Sequence, residues 1–349
     1  MPSLIQLAPL APVLGAPPLQ GPLVDTFHRV HDNLRISVTD RCNIRCFYCM
    51  PEEGGTFSPV STLLTFDEIV RFASLAVGLG VRKIRLTGGE PLLRPRLPEL
   101  IGRLTAIPGL DDLALTTNGV LLSRFAKPMH DAGLRRLNVH LDSLDSGRFE
   151  RITRRNDLSR VLAGIETAIG VGYSSIKLNA VAIRDVNEPD IVPLARYARE
   201  RGLEIRYIEF MPLDAQNLWS RSRVLLADEM VEMLSSEICP LLPIANPDPR
   251  APAVEYAYAD GRGRVGFIAS VSRPFCLDCN RLRLTSDGKL RYCLFANEET
   301  DVKRLLADTA DQVELEAAIR STVWRKWKGH EINSPLFTAP ARPMYSIGG

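Results

Sequence analysis

Between residues 34 and 211 the apolar and polar positions alternate between two rhythms. Short runs such as "LRISVT" (34–39), with apolar residues at every second place, and "VRKIRLT" (81–87) read as strands. Longer runs follow the helical period. Ile69, Phe72, Ala73 and Ala76 come after Thr65, a capping residue, with Asp67 and Glu68 in the first turn and Gly78 and Gly80 as stops. Further strands are predicted at 113–117, 135–141, 175–183 and 203–211, with helices between them, one starting at Leu158. Six strand-then-helix units with short connections predict a parallel sheet covered by helices, open and doubly wound or rolled into a partial barrel. Either architecture puts ligands at the C-terminal ends of the strands. The polar residues and glycines fall there: a cysteine loop, "TGGEP", "TTNG", "HLDS", Lys177 to Asn179, and "EFMP".

After Pro212 the rhythm changes. Residues 246–253 predict a loop, 253–270 a hairpin with a Gly-rich turn, and a charged helical tail containing "VWRKWKGH" precedes the terminal "MYSIGG". The first 24 residues are uncharged and proline-rich, without the positive segment of a signal peptide, and are expected to be a disordered leader. The expected division is leader 1–24, barrel 25–240 and C-terminal region 241–349.

Composition narrows the class. With 45% apolar and 24% charged residues and a net charge of +2, the 349-residue chain reads as a soluble globular protein. That charge argues against bulk nucleic-acid binding. No run of 18 apolar residues free of charge and proline occurs, so neither a membrane span nor membrane association is expected, and the cytoplasm is the expected location.

The seven cysteines fall as three, one and three: Cys42, Cys46, Cys49; Cys239; Cys276, Cys279, Cys293. That is a poor disulfide framework and points to metal or cluster ligation. Cys239 reads as a small buried hydrophobe. Cys42, Cys46 and Cys49 follow the first strand. Three thiolates hold three corners of a [4Fe–4S] cube and leave one iron open to a small molecule. Zinc needs four ligands, and only His28 and His31, before the strand, are near in sequence. For the second triplet a zinc site completed by another residue stays open. Inside it, Arg281 and Arg283 share one face of a predicted strand and Leu282 and Leu284 the other, with Lys289 and Arg291 following.

The Cys-x3-Cys-x2-Cys loop, with Tyr48 before its last cysteine and Gly88-Gly89-Glu90-Pro91 after the second strand, resembles the radical S-adenosylmethionine superfamily. The resemblance implies a partial (β/α)6 barrel, a first [4Fe–4S] cluster on Cys42, Cys46 and Cys49, and S-adenosylmethionine on its open iron, cleaved to a 5′-deoxyadenosyl radical. Adding "LTTNG", "IEFMP", the second triplet and the "IGG" end, the chain from Leu34 onward is similar to the GTP 3′,8-cyclase family of molybdenum cofactor biosynthesis. That family implies a smaller C-terminal region with a second [4Fe–4S] cluster on Cys276, Cys279 and Cys293. It implies S-adenosylmethionine contacts from Tyr48, Gly89, His140, Arg206 and Met211, and GTP contacts from Arg35, Arg85, Thr116, Lys177, Arg281, Leu282 and Arg283. Arg281, Arg283 and the tail glycines Gly348 and Gly349 would take part in catalysis. The reaction implied is a lyase-type cyclisation: hydrogen loss from C3′ of GTP, then bonding of C3′ to C8. An external electron donor, a downstream cyclic pyranopterin monophosphate synthase and a monomer or homodimer are implied with it. One position departs from the family, whose "NVSLD" strand here reads "NVHLD". His140 is larger than serine and titrates near neutral pH. Two other readings, a radical enzyme acting on a peptide and a zinc module for nucleic acid, fit the strand-top cations and the low net charge less well.

Overall fold

The computed structural model describes residues 15–214, 216–245, 248–307, 311–335 and 337–348. Six parallel strands lie side by side in chain order: β1 (Asn33–Ser37), β2 (Lys83–Thr87), β3 (Asp112–Thr117), β4 (Arg136–His140), β5 (Ser175–Ala182) and β6 (Glu204–Glu209). The helices between them are α1 (Phe66–Gly78), α2 (Leu97–Thr105), α3 (Leu122–Asp131), α4 (Ser146–Thr153), α5 (Leu158–Val171) and α6 (Ile191–Glu200), with α7 (Ala227–Glu237) after β6. The expected six units are all present. Thr65 caps α1 in a reciprocal box: its hydroxyl accepts from the Glu68 N–H at 3.2 Å, and Glu68 accepts from the Thr65 N–H at 2.6 Å.

The strands are half apolar because only one face packs on helices. Leu34 and Ile36, Ile84 and Leu86, Leu137 and Val139 are buried against helix residues such as Ile69, Phe72, Leu100 and Ile165. The opposite face carries Arg35, Arg85, Thr116, Asn138 and Lys177, and these line a central cavity. A closed barrel fills its lumen with branched apolar side chains; here a polar inner face leaves the lumen for a ligand.

The C-terminal region continues the same sheet at both edges. β7 (Leu241–Ile244), β8 (Val254–Tyr258) and β9 (Arg264–Ile268) form an antiparallel set, and β9 pairs parallel to β6. β10 (Arg281–Leu284) pairs parallel to β1, followed by β11 (Lys289–Arg291) and β12 (Thr300–Asp301). Strands consecutive in the chain, β9 and β10, thus sit beyond opposite edges of the six parallel strands. Residues 269–280 between them cross the opening of the partial barrel and carry Cys276 and Cys279.

Two expectations shift. Of the expected leader, residues 1–14 lie outside the described residues. Of residues 15–24, Leu23 is buried at 1% exposure and the Gly21 carbonyl accepts from Arg320 at 3.0 Å, while Leu19 stays 82% exposed. The tail helix, α8 (Gln312–Trp324), stops before "KWKGH", which runs on as non-helical chain. A last helical turn, α9 (Met344–Ile347), precedes Gly348. No helix among the described residues is long and apolar enough to cross a membrane.

Candidate active site

The cavity has a volume of about 570 Å³, and both cysteine triplets open onto it. That is within the usual range for a small-molecule site. Cys42, Cys46 and Cys49 sit on the loop leaving β1, which folds back on itself: the N–H groups of Cys49 and Met50 both donate to the Cys46 carbonyl at 2.9 Å. Asn118 Nδ2 approaches Cys42 Sγ at 3.7 Å. The Ile44 and Tyr345 N–H groups point at the Cys42 and Cys49 sulfurs. Burial pushes the Cys42 thiol up to about 11 and Cys49 up to about 12, and Cys46 also rises. Such thiols stay protonated at neutral pH until a cation replaces the proton. Three thiols on one loop, met by N–H donors, suit a [4Fe–4S] cluster. No group of three His, Cys, Asp or Glu among the described residues is arranged to hold a single metal ion.

The second strand's loop presses on this one. Gly89 N–H donates to the Thr39 carbonyl and Glu90 N–H to the Arg41 carbonyl, each at 2.7 Å. A Cβ on Gly89 would stand 2.5 Å from the Arg41 oxygen, so only glycine fits. The Glu90 carboxylate is buried and accepts from Leu92 N, Thr117 Oγ1 and Asn118 N. Burial nevertheless raises it to about 7.

His140, at the end of β4, departs from serine in company. Its Nε2 lies 2.7 Å from Asp142 Oδ2, and the Tyr48 hydroxyl contacts His140 and donates to the same carboxylate at 2.5 Å. Burial lowers the His140 pKa, but the Asp142 carboxylate outweighs it and leaves it raised. Tyr48, Gly89, His140, Arg206 and Met211 all line the cavity, Arg206 among the charged residues beside Lys177 and Arg85.

The far end is cationic. Arg35 is in register with Arg85 on β2 and with Arg283 on β10, so three guanidiniums form a row across adjacent strands. Arg281 stands two residues before Arg283 on the same face. None of these four makes a salt bridge among the described residues, and Arg35 Nε is buried without a hydrogen-bond partner. Burial and neighbouring guanidiniums lower the pKa of Arg35, and bring Arg85 and Arg283 to about 10. By contrast, Lys177 pairs with Glu204 at 2.6 Å, and Arg206 with Glu204 at 2.6 Å and Glu255 at 2.7 Å. Like charges in register cost stability unless an anion joins them.

Cys276, Cys279 and Cys293 face this end. Burial would raise Cys279, but Arg281 and Lys326 outweigh it and hold the thiol down at about 6. Burial leaves Cys276 raised. Leu282 does not join its neighbours: its side chain is 1% exposed on the core face, because the period of the strand turns it away from the cavity. Gly348 docks at the strand tops. Its carbonyl accepts from Arg283, its φ is +74°, and an added Cβ would lie 2.8 Å from Thr87 Oγ1. Gly349 lies outside the described residues. Cys239 is half-buried against the core, away from both triplets.

Several side chains at the site carried no legible signal. Lys83 lines the cavity and pairs with Asp248 at 2.8 Å. Glu209, inside "IEFMP", is buried and accepts from Val271 N at 2.8 Å and Ser272 N at 2.7 Å, pinning the loop that leads to Cys276. Its place in the motif was visible; its backbone partners were not.

A half barrel with a three-cysteine loop on its first strand defines the radical S-adenosylmethionine class. Residues 36–198 match the model of the radical SAM superfamily, and residues 203–332 match that of Molybdenum Cofactor Synthesis C. The chain is 49% identical to "GTP 3′,8-cyclase" of Rhodopirellula baltica over 94% of this chain and 92% of that one. It is 48% identical to "GTP 3′,8-cyclase 2" of Mycobacterium tuberculosis over 95% and 93%. The chain therefore belongs to the GTP 3′,8-cyclase family. Streptococcus suis SuiB bound to S-adenosylmethionine is alike in fold, with a TM-score of 0.57, 16% identity, and coverage of 86% of this chain and 68% of that one.

Proposed function

We propose that this chain converts GTP to (8S)-3′,8-cyclo-7,8-dihydroguanosine 5′-triphosphate, the first step of molybdenum cofactor biosynthesis. The observation that carries the reading is the arginine row, Arg283, Arg35 and Arg85, with Arg281 beside it, none paired with a carboxylate among the described residues. Guanidinium forks bind phosphate oxygens in bidentate fashion, and a triphosphate supplies the charge the row lacks. Cys42, Cys46 and Cys49 would hold a [4Fe–4S] cluster, which with bound S-adenosylmethionine would supply the radical chemistry for hydrogen abstraction at C3′.

The protein's own work is placement. Tyr48, Gly89, His140, Arg206 and Met211 surround the S-adenosylmethionine position, with the His140 ring held by Asp142. Arg35, Arg85, Thr116 and Lys177, with Arg281 and Arg283, hold GTP so that C3′ faces one triplet and the base faces the other. Cys276, Cys279 and Cys293 would hold a second [4Fe–4S] cluster at the end of the cavity taken by the base. The tail at Gly348 fixes Arg283 and excludes water. In this reading the enzyme is a cytoplasmic lyase served by an external electron donor, and its product goes to a cyclic pyranopterin monophosphate synthase.

The test is anaerobic turnover of reconstituted protein with dithionite, S-adenosylmethionine and GTP deuterated at C3′. Deuterium in the 5′-deoxyadenosine is the expected result. Unlabelled 5′-deoxyadenosine formed at a rate indifferent to GTP would remove GTP as the substrate.

A further inference from the structure

The two triplets differ in what meets their sulfurs. Among the described residues no Lys or Arg donates to a sulfur of the first triplet, whose side-chain donors are the Asn118 amide and the Tyr48 hydroxyl; Arg45 lies near but donates to the Cys42 carbonyl at 2.6 Å. At the second, two cations converge on one atom. Lys326 Nζ donates to Cys279 Sγ at 3.3 Å and to the Arg281 carbonyl at 3.0 Å, and Arg281 Nη2 reaches the same sulfur at 3.3 Å. Lys326 is 3% exposed, and it forms no salt bridge to a carboxylate among the described residues. A buried ammonium requires a compensating negative charge. Among the described residues the sulfurs of Cys279, in direct contact, and of Cys293 act on it, against the burial that lowers its pKa.

Lys326 is held there by a separate device. Past the end of α8 the chain runs beside the Cys276 loop, and Arg29 ties the two together. Its Nη1 donates to the Cys276 carbonyl at 2.6 Å and the Lys328 carbonyl at 2.9 Å, and its Nη2 to the Trp327 carbonyl at 2.6 Å. Asp25 fixes Arg29 in turn through Nε at 2.6 Å. Gly329 gives the clearance, since a Cβ there would lie 2.9 Å from Cys276 Cβ. The residues from Lys326 to Gly329 form a strap against the second triplet.

We infer that Lys326 is a positioning residue of the second triplet, whose fixed charge beside Cys279 makes a cluster held there easier to reduce. This rests on the reading that the second triplet holds a [4Fe–4S] cluster. Reduction adds negative charge, which a neighbouring ammonium in a poorly screened site stabilises. The two sites then differ at the sulfurs themselves: the first triplet's are met by neutral donors, with Arg45 on the Cys42 carbonyl, while Cys279 is met by two cations.

The test uses the full chain with Cys42, Cys46 and Cys49 replaced by serine, so that one cluster reports. Iron content and the reduction midpoint are followed by paramagnetic resonance during a redox titration. Lys326→Gln keeps a donor near the sulfur without charge, and Lys326→Arg keeps the charge. The expected result is retained iron with the reduction equilibrium of the glutamine variant shifted about tenfold against reduction, about 59 mV for one electron. The arginine variant should stay near the parent. Loss of iron in the glutamine variant alone would support the same role. Equal midpoints in all three, or loss of iron from both variants, would overturn it. A parent chain that binds no iron at the second triplet removes the cluster reading itself, and the role of Lys326 with it.

Discussion

Arg35 and Arg283 stand opposite each other in register on neighbouring parallel strands, with no carboxylate paired to either among the described residues. The two residues are far apart in the chain, and each is ordinary alone. Together with Arg85 they make a charge ladder whose cost falls on the empty protein and whose benefit appears only when an anion arrives. Arg35→Met should therefore leave the nucleotide-free protein as stable as the parent, or about 1 kcal/mol more stable. GTP affinity should fall about tenfold to a hundredfold, the loss of one charged hydrogen-bonded contact. Urea unfolding and calorimetric titration with GTP read the two effects separately. A destabilised variant that still binds GTP normally would contradict the ladder's role.

His140 and Asp142 lie at the other end of the cavity, within 2.7 Å of each other and joined to Tyr48. His140→Ala should weaken S-adenosylmethionine binding by about tenfold, one lost hydrogen bond, and leave GTP binding unchanged. Equilibrium binding of each ligand alone checks this. Equal losses for both ligands would mean that the ring supports the cavity as a whole rather than one end of it.

Gly348 combines a left-handed backbone with close contact to Thr87 and Ser37. An alanine there meets a conformational cost of about 1–2 kcal/mol before any clash. Gly348→Ala should release the tail from Arg283, seen as faster proteolysis after Arg342 with little change in global unfolding, and turnover should drop. A tail equally resistant to protease in the variant would show that the glycine is not needed for docking.

The buried His31–Asp25 pair gives the fold a dependence on pH. Burial, with the nearby Lys326 charge, lowers His31 from 6.5 to about 4. Above pH 6.5 the ring is neutral in both states and its share of stability is complete. As pH falls from 6.5 to 4 the unfolded chain takes up a proton that the folded chain refuses, so stability drops by about 3 kcal/mol at most. Glu90, raised by burial from 4.5 to about 7, works in the opposite direction over nearly the same window: the folded chain holds its proton until pH rises past 7. The whole-protein slope is thus a difference of opposed contributions. Urea unfolding of parent and His31→Gln at pH 7 and pH 5 isolates the first: the parent should lose more stability on acidification than the variant. Identical losses would show that His31 does not carry it.

Much of this molecule is legible along the chain because local order depends on near neighbours. The period-two runs, the Thr65–Glu68 cap and the six strand-helix units could be read directly, since an amphipathic strand or helix encodes its own face. The first triplet could be read because cluster ligands on one loop must be close in sequence. The second, divided between the loop before β10 and the chain after β11, could be read from its close pair and the family resemblance. Tertiary structure decided what depends on register between distant segments. The strand period already set Leu282 apart from Arg281 and Arg283, and the register of β10 on β1 made that separation a boundary between core and cavity. The arginine row exists because β1, β2 and β10 align at one level. Lys326 sits in "VWRKWKGH", expected as charged helix; the helix ends two residues before it, and Arg29, nearly three hundred residues earlier, turns the following chain onto Cys276. Charge in a sequence says nothing of whether its solvent will be water or sulfur. Only packing settles that, because burial and the choice of partner are properties of the folded surroundings.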